Sequence, residues 1–272
     1  MTVAADLVLA LGGGTARAMS HVGVLLALQE AGTEPAGLAG TSFGAIVAGL
    51  WAMGTPPERM RELLTAPTAR QVWAQAADPG LHRGSLVHGR RLQAWLDSVL
   101  FRGARIEELE RPLAIATTSL THGGLQVVSE GSLARAAVAS CSLPLLFAPV
   151  QHGPDWLVDG GFVEAVPFRA ALSLGRSQLL GINTGIDIEK AAMAAGLRRM
   201  RQRSWARAVS DWGVSRSLNW PPGRVLRGLG WAARSYARPQ PVPDGAALLR
   251  IDPAIAWWDF HRSPGAIAAG ER

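Results

Sequence analysis

Residues 36–53 constrain the fold more than any other stretch, because they indicate a buried strand, a sharp turn and a helix. The apolar run 36–39 predicts the strand, Gly40 to Gly44 the turn, and residues 45–53 the helix. A serine at the apex of such a turn needs neighbours without a Cβ, so that strand and helix can close beneath it. Because the chain contains 31 glycines, a Gly-x-Ser-x-Gly spacing also arises by composition alone, in an ordinary turn. The flanking strand and helix favour Ser42 as a nucleophile.

A second strand, glycine turn and helix come earlier, at residues 6–11, Gly12 to Gly14 and residues 17–31. Two such units in succession predict a parallel sheet with crossover helices. A nucleotide site is excluded, because Arg17 stands where a dinucleotide motif needs glycine and neither turn contains Gly-Lys-Ser/Thr. The N–H groups of the turn, at a helix N-terminus, suit an anion such as the oxyanion of acyl transfer.

The remaining pattern predicts one α/β unit that extends to about residue 184. A short strand brings Asp159 into a glycine turn formed with Gly160 and Gly161. Two β-rich runs around a Gly-Gly turn predict a hairpin. The predicted strands are 113–119, 125–129, 178–183 and 248–251, and the predicted helices are 56–64, 68–77, 88–100, 132–140, 167–174 and one from residue 263.

The composition indicates a globular protein and the cellular compartment in which it is found. The chain is 48% hydrophobic and 18% charged, which is ample for a buried core. Its apolar runs are far shorter than the ~18 residues of a membrane span. The first ten residues show no secretory signal, and the single cysteine, Cys141, suits a reducing compartment. We therefore expect a cytoplasmic protein.

Residues 198–238 differ in character from the rest of the chain. They contain ten arginines, four tryptophans and a single acid, and they contribute to a net charge of +6. Basic amphipathic helices with tryptophan suit an anionic membrane surface, here the inner face of the membrane. A helical flap packed on the core fits the same composition. No nucleic acid is expected, because no recognised binding motif accompanies the charge.

The three glycine motifs occur in the order Gly12-Gly13-Gly14, Gly40-x-Ser42-x-Gly44 and Asp159-Gly160-Gly161. Together they resemble the patatin-like phospholipase family, specifically its compact bacterial members. The similarity spans about Leu7 to Thr184, with a weaker match over Ile251 to Glu271. Further shared residues are Arg17 and His21 in the first stretch, and Cys141, Ser142, Pro144 and Phe147 ahead of the Asp-Gly turn.

The resemblance implies an α/β fold, a patatin-like three-layer sandwich with a mainly parallel central sheet. Residues 1–190 would form the catalytic domain and 191–246 a basic, Trp-rich helical insertion. Residues 247–272 would add a strand and a helix that pack back on the catalytic domain.

The resemblance also implies a lipid acyl hydrolase of the phospholipase A, lysophospholipase or esterase type, with a Ser–Asp dyad. Ser42 would be the nucleophile and Asp159 the base, and we expect an apolar setting to raise the pKa of Asp159. The N–H groups of Gly13, Gly14 and Thr15 would form the oxyanion hole. Supporting positions are Gly12, Arg17, Gly40, Gly44, Gly160 and Gly161. Arg17 would brace the loop or pair with the head group, and neither a cofactor nor a metal is implied.

The chain departs from the family pattern Gly-Gly-Gly-x-Arg/Lys-Gly, which falls on residues 13–18. Thr15 and Ala18 replace two glycines, and a positive φ at the β-branched Thr15 would be costly. An alternative is therefore a catalytically impaired, lipid-binding or membrane-associated regulatory relative. A rival enzyme class is the α/β-hydrolase with a Ser–His–Asp triad, for which His261 is available. The six histidines show no metal-ligand spacing.

Overall fold

A computed structural model describes residues 2–66, 78, 87–144, 146–185, 240–256 and 259–272. The predicted helix over 68–77 and the basic segment 198–238 lie outside the described residues. The strands are β1 (Thr2–Leu11), β2 (Thr33–Thr41), β3 (Leu113–Ser119), β4 (Gly124–Val128), β5 (Val150–His152), β6 (Asp155–Asp159), β7 (Gln178–Asn183) and β8 (Ala246–Arg250).

Helices follow most of the strands. They are α1 (Ser20–Glu30), α2 (Phe43–Ala52), α3 (Pro57–Thr65), α4 (Arg90–Trp95), α5 (Leu133–Cys141), α6 (Phe168–Leu172) and α7 (Ser263–Glu271). A π-helical turn, Leu96–Phe101, continues α4, and 3-10 turns occur at Thr15–Met19, Ile106–Glu108, Gly160–Phe162 and Phe260–Arg262. Every helix in the described ranges is too short or too polar to cross a membrane.

The strands form one sheet in the order β5-β6-β3-β2-β1-β7-β8, and β4 also pairs with β3. The run from β3 through β2, β1 and β7 to β8 is parallel throughout. The pairs that β3 makes with β4 and β6, and the pair β5–β6, are antiparallel. The predicted hairpin of β3 and β4 and the mainly parallel sheet are both confirmed.

Side chains that alternate along the strands supply two separate cores, one on each face of the sheet. Leu9, Leu11 and Ile115 pack with the buried sides of α1, α2, α5 and α7. Val8, Ala10 and Ala116 point the other way and pack with α6, which buries Phe168. Because a parallel sheet must be covered on both faces, this arrangement gives the three layers that the family resemblance implies.

The C-terminal part of the chain joins both the sheet and the helical layer. β8 pairs in parallel with β7, and α7 packs closely on α1. The two helix backbones approach at two glycines: a Cβ on Gly23 would overlap the carbonyl oxygen of Ile267, and one on Gly270 would overlap that of Ser20. Glycine therefore sets the separation of α1 and α7.

We predict that Gly270→Ala lowers the free energy of unfolding by about 1–3 kcal/mol, because the added methyl forces the two helices apart. Gly265→Ala is the matched control, since Gly265 lies in the same helix and a methyl added there would meet nothing within 4 Å. It should be neutral or stabilising by up to about 1 kcal/mol, because alanine favours helix. Urea denaturation measures both, and equal effects would contradict the close approach.

Candidate functional site

One edge of β3 brings the two predicted catalytic turns together. β4 pairs with Ile115 to Ser119, so β2 and β6 must share the opposite edge. On that edge Thr41, the last residue of β2, is the partner of Ala116, and Asp159, the last residue of β6, is the partner of Thr117. The two strands run in opposite directions and their carboxyl ends meet at adjacent positions. Ser42 follows Thr41 directly. Ser42 and Asp159 therefore lie close to each other along this edge of β3.

Ser42 lies in a strained turn between β2 and α2. Its φ of 54° and ψ of −127° fall in a region that residues with a Cβ rarely adopt. A Cβ on Gly40 would overlap the backbone of Ala45, and one on Gly44 would overlap the carbonyl oxygen of Leu11. Both predicted glycines are thus required by close backbone contacts. Those contacts hold the half-buried serine at the apex of the turn.

Asp159 is 4% exposed, and the turn that follows it fixes its carboxylate. Its Oδ1 accepts the N–H of Gly161 at 2.7 Å. Its own N–H donates to the Ser142 carbonyl at 2.9 Å, and its carbonyl accepts the Thr118 hydroxyl at 2.8 Å. Gly160 is needed because a Cβ there would overlap the carbonyl oxygen of Ala116. The aspartate is therefore fixed through both its backbone and its side chain.

The Gly-rich turn after β1 uses most of its backbone polar groups inside the protein. The N–H of Gly12 donates to Ile182 and that of Gly13 to Ala165, each at 3.0 Å. The three carbonyls are also occupied: His21 Nε2 donates to Gly12 at 2.7 Å, the Thr184 hydroxyl to Gly13 at 2.7 Å, and the Arg17 N–H to Gly14 at 3.0 Å.

The predicted oxyanion hole needs a correction at Gly13, whose N–H is already engaged by the Ala165 carbonyl. The N–H groups of Gly14 and Thr15 make no hydrogen bond within the described ranges. Since unpaired backbone N–H groups need a partner, these two are the donors that the turn offers to an anion. Of the three N–H groups predicted for the oxyanion hole, two are therefore unpaired within the described residues, and their role stays a prediction.

Arg17 links the Gly-rich turn to the C-terminal part of the chain. Its Nε donates to the Ile255 carbonyl at 2.7 Å, and its Nη1 lies 3.4 Å from the Gly185 carbonyl. Of the two roles that the sequence allows for this arginine, these contacts support bracing the loop.

A comparison with known protein families matches more than half of the chain. A sequence model described as patatin-like phospholipase matches residues 9–172. The chain belongs to the patatin-like phospholipase family.

Two curated relatives and one solved structure illustrate the similarity. Patatin-like phospholipase domain-containing protein 6 of Mus musculus is 32% identical over 185 residues, which are 66% of this chain and 14% of that protein. Lysophospholipase NTE1 of Yarrowia lipolytica is 29% identical over 179 residues, 65% of this chain and 12% of that protein. The crystal structure of VipD from Legionella pneumophila has a TM-score of 0.48 at 16% identity, and the match covers 97% of this chain and 65% of that chain. The chain thus spans only a small part of the length of these curated relatives.

The departures from the family's glycine pattern have visible structural effects. Thr15 has a φ of 49°, so a β-branched residue occupies a left-handed conformation. Such a conformation costs on the order of 1–2 kcal/mol for a residue with a Cβ. Ala18 is completely buried in the 3-10 turn that follows. The substitution at Thr15 therefore strains the loop, but it leaves the Thr15 N–H unpaired within the described part of the chain.

Three consecutive residues at the end of α5 contact the predicted dyad, and the sequence did not single them out for it. The Ser140 hydroxyl accepts the Ser42 N–H at 2.8 Å, and the Ser142 carbonyl accepts the Asp159 N–H. Burial and the nearby Asp159 carboxylate raise the pKa of the Cys141 thiol, against a hydrogen bond with the Ser42 side chain that lowers it. Cys141 therefore stays protonated between the two predicted catalytic side chains.

The histidine required by the rival triad is not supported by its contacts. The side chain of His261 is 73% exposed and lies 2.7 Å from Asp259. His122 contacts Ser119 and Asp155 through the same ring nitrogen, Nδ1, which a catalytic triad would not do. Among the described residues no three His, Cys, Asp or Glu side chains form a group suited to a metal.

His21 is fully buried beneath the Gly-rich turn. A carbonyl oxygen can only accept, so the ring carries its proton on Nε2 and donates to Gly12. Its Nδ1 has no partner in the part of the chain that the structure describes. Burial lowers the pKa of His21 to about 4, against the hydrogen bond to Gly12, which raises it. The turn therefore depends on a neutral histidine.

This pKa predicts a loss of stability in acid. Between the unfolded pKa of about 6.5 and the folded value of about 4, the unfolded chain binds the proton that the folded one excludes, so stability falls as the pH is lowered. The full effect is about 3 kcal/mol. His21→Gln keeps an N–H donor for Gly12 but does not titrate, so its unfolding free energy should depend less on pH over this interval.

Urea denaturation at pH 7.5, 6.5, 5.5 and 4.5 measures the effect, with the exposed His261→Gln as control. A wild-type pH dependence in His21→Gln would contradict the assignment.

Proposed function

We propose that the chain is a lipid acyl hydrolase that cleaves carboxylic esters through an acyl-enzyme on Ser42, with Asp159 as the base. The observation that carries the proposal is the meeting of the Ser42 turn and the Asp159 turn at adjacent positions of one edge of β3. Membership of the patatin-like phospholipase family supports the reaction class. The N–H groups of Gly14 and Thr15, which make no hydrogen bond within the described residues, support an oxyanion hole in the Gly-rich turn.

The chemistry follows from these groups in two halves. Asp159 accepts the proton of Ser42 as Oγ attacks the ester carbonyl, and the oxyanion receives hydrogen bonds from Gly14 and Thr15. When the tetrahedral intermediate collapses, Asp159 returns the proton to the leaving alcohol. A water molecule then gives its proton to Asp159 and attacks the acyl-enzyme. When this second tetrahedral intermediate collapses, Asp159 passes the proton to Ser42 Oγ, which restores the hydroxyl and releases the fatty acid.

A carboxylate acting without histidine must be held in place, and the contacts of Asp159 support this role. The Gly161 N–H donates to the carboxylate itself, while hydrogen bonds with the Ser142 carbonyl and the Thr118 hydroxyl fix the backbone of Asp159. A fixed base avoids the entropic cost of orienting the reacting groups. The strained φ of Ser42 supports the same interpretation, because backbone strain of this kind persists mainly at functional sites.

Lysophospholipid is the first substrate to test. The similarity to a relative named lysophospholipase supports this choice, and so does the ester chemistry of the dyad. Phospholipids and simple esters present the same carboxylic ester and are the comparison substrates.

We predict that Ser42→Ala and Asp159→Asn each lower ester turnover by on the order of 1,000-fold or more. The two residues act as a unit, so the loss of either one removes most of the rate enhancement that the pair provides. Turnover of lysophospholipid, diacyl phospholipid, triacylglycerol and a short-chain ester is the measurement. Asp155→Asn, in the same strand as Asp159, and Ser263→Ala are matched controls that should retain wild-type rates.

Two outcomes would contradict the proposal. Full turnover by both dyad variants would show that the dyad is wrong. A wild-type protein that binds these lipids and hydrolyses none of them would favour the catalytically impaired, lipid-binding alternative.

We further propose that the protein contacts an anionic membrane surface through residues 198–238. The ten arginines and four tryptophans of this segment support the proposal, since each arginine near an anionic surface contributes about 1 kcal/mol. A peripheral location on the cytoplasmic face would bring the enzyme to its lipid substrate.

Co-sedimentation of the full chain with anionic vesicles should therefore exceed that with neutral vesicles, and it should weaken as salt is raised. Replacing Arg198, Arg199, Arg201 and Arg203 with glutamine should reduce binding by up to about 1,000-fold, since four charges at about 1 kcal/mol each total about 4 kcal/mol. The control replaces the exposed Arg90, Arg102, Arg262 and Arg272 with the same net change in charge. Equal losses in the two variants would rule out a specific role for the segment.

A further inference from the structure

The Ser140 hydroxyl connects the nucleophile turn to the strand that aligns the predicted dyad. Its Oγ donates to the Ala116 carbonyl at 2.7 Å and accepts the Ser42 N–H at 2.8 Å. Ser140 is completely buried, and a hydroxyl has one proton to donate. The proton is committed to Ala116, so the oxygen faces Ser42 as an acceptor.

Ala116 lies at the centre of the arrangement. In the sheet it is the partner of Thr41, which precedes the nucleophile, and it is adjacent to Thr117, the partner of Asp159. Its carbonyl oxygen also packs against Gly160 so closely that a Cβ there would overlap it. The same carbonyl therefore sets the position of the aspartate turn and, through Ser140, that of Ser42.

We propose that Ser140 is a positioning residue that fixes the backbone of Ser42 relative to Asp159. The inference rests on the proposed esterase function. Ser42 has left the β2–β3 ladder, whose last pair is Thr41 and Ala116, so its N–H needs a partner outside the sheet. Ser140 supplies that partner and holds the serine in its left-handed conformation of φ 54°.

A merely structural role would have different consequences. If Ser140 only satisfied a buried carbonyl, its removal would lower stability and leave the active fraction with normal kinetics. A positioning role affects the chemical step, because the reacting oxygen moves with the Ser42 backbone. Neither bond of Ser140 is made to substrate, so a positioning role should change kcat and leave KM unchanged.

The kinetic test compares Ser140→Ala with wild type and with Ser263→Ala. Ser263 is a matched control, since it is 1% exposed and its hydroxyl donates to the Phe260 carbonyl at 2.6 Å without contacting the dyad. In Ser140→Ala we expect kcat for lysophospholipid to fall about 10- to 100-fold, because small displacements of reacting atoms have effects of this order. KM should stay within about 2-fold of wild type. Ser140→Cys, which keeps a weaker acceptor, should recover part of kcat and also serves if the alanine variant fails to fold.

Hydrogen exchange of the Ser42 amide gives a readout that does not depend on turnover. The amide should exchange slowly in wild type and in Ser263→Ala, and at least about 10-fold faster in Ser140→Ala, where its acceptor is missing. Unchanged exchange at Ser42, or a kcat equal to that of Ser263→Ala, overturns the inference.

The two readouts separate this inference from the proposed function. If wild type hydrolyses no ester, the proposed function fails, and the exchange rates alone then decide whether Ser140 positions Ser42. If wild type is active and Ser140→Ala matches it, the function stands and the positioning role is refuted.

Discussion

The site depends on one strand edge that two other strands share. Along β3, the hydrogen-bonding groups of residues up to Ala116 pair with β2, and those from Thr117 onward pair with β6. Because β2 is parallel and β6 antiparallel to β3, their carboxyl ends point at each other across a single residue step. An ordinary doubly wound sheet brings the ends of parallel strands to the same edge but not end to end. This junction brings a serine and an aspartate to adjacent positions along one strand edge.

The backbone hydrogen bonds of the neighbouring loop leave two N–H groups for the proposed oxyanion hole. The Gly-rich turn forms internal hydrogen bonds through two N–H groups and three carbonyls, with partners as distant in sequence as Ala165, Ile182 and Thr184. This leaves the N–H groups of Gly14 and Thr15 without a partner in the described residues. The loop is thus rigid because its other polar groups are satisfied. Donors fixed in this way stabilise developing charge without a reorganisation cost.

The sequence predicts those parts of the site that local chemistry determines. The Ser42 turn, the Asp159 turn and the strands Leu113–Ser119 and Gln178–Asn183 are found where glycine spacing and β-rich runs place them. Contacts between residues distant in sequence could not be predicted. The engagement of Gly13 by Ala165 joins residues far apart in the chain and leaves no local signal. Ser140 was equally inaccessible, because a serine within a run of small helical residues is indistinguishable from its neighbours until α5 packs against the turn.

The glycine turns that contain the two strained residues, Thr15 and Ser42, are in direct contact with each other. Gly44 leaves no room for a Cβ beside the Leu11 carbonyl, so α2 begins directly against the end of β1. Strain at each residue costs on the order of 1–3 kcal/mol. It persists only because surrounding contacts stabilise the strained backbone by more than this cost. His21, Ser140 and the buried ends of β1 and β2 supply that restraint. The proposed nucleophile and the proposed oxyanion donors therefore belong to one structural unit, and we expect a change that loosens either turn to displace both.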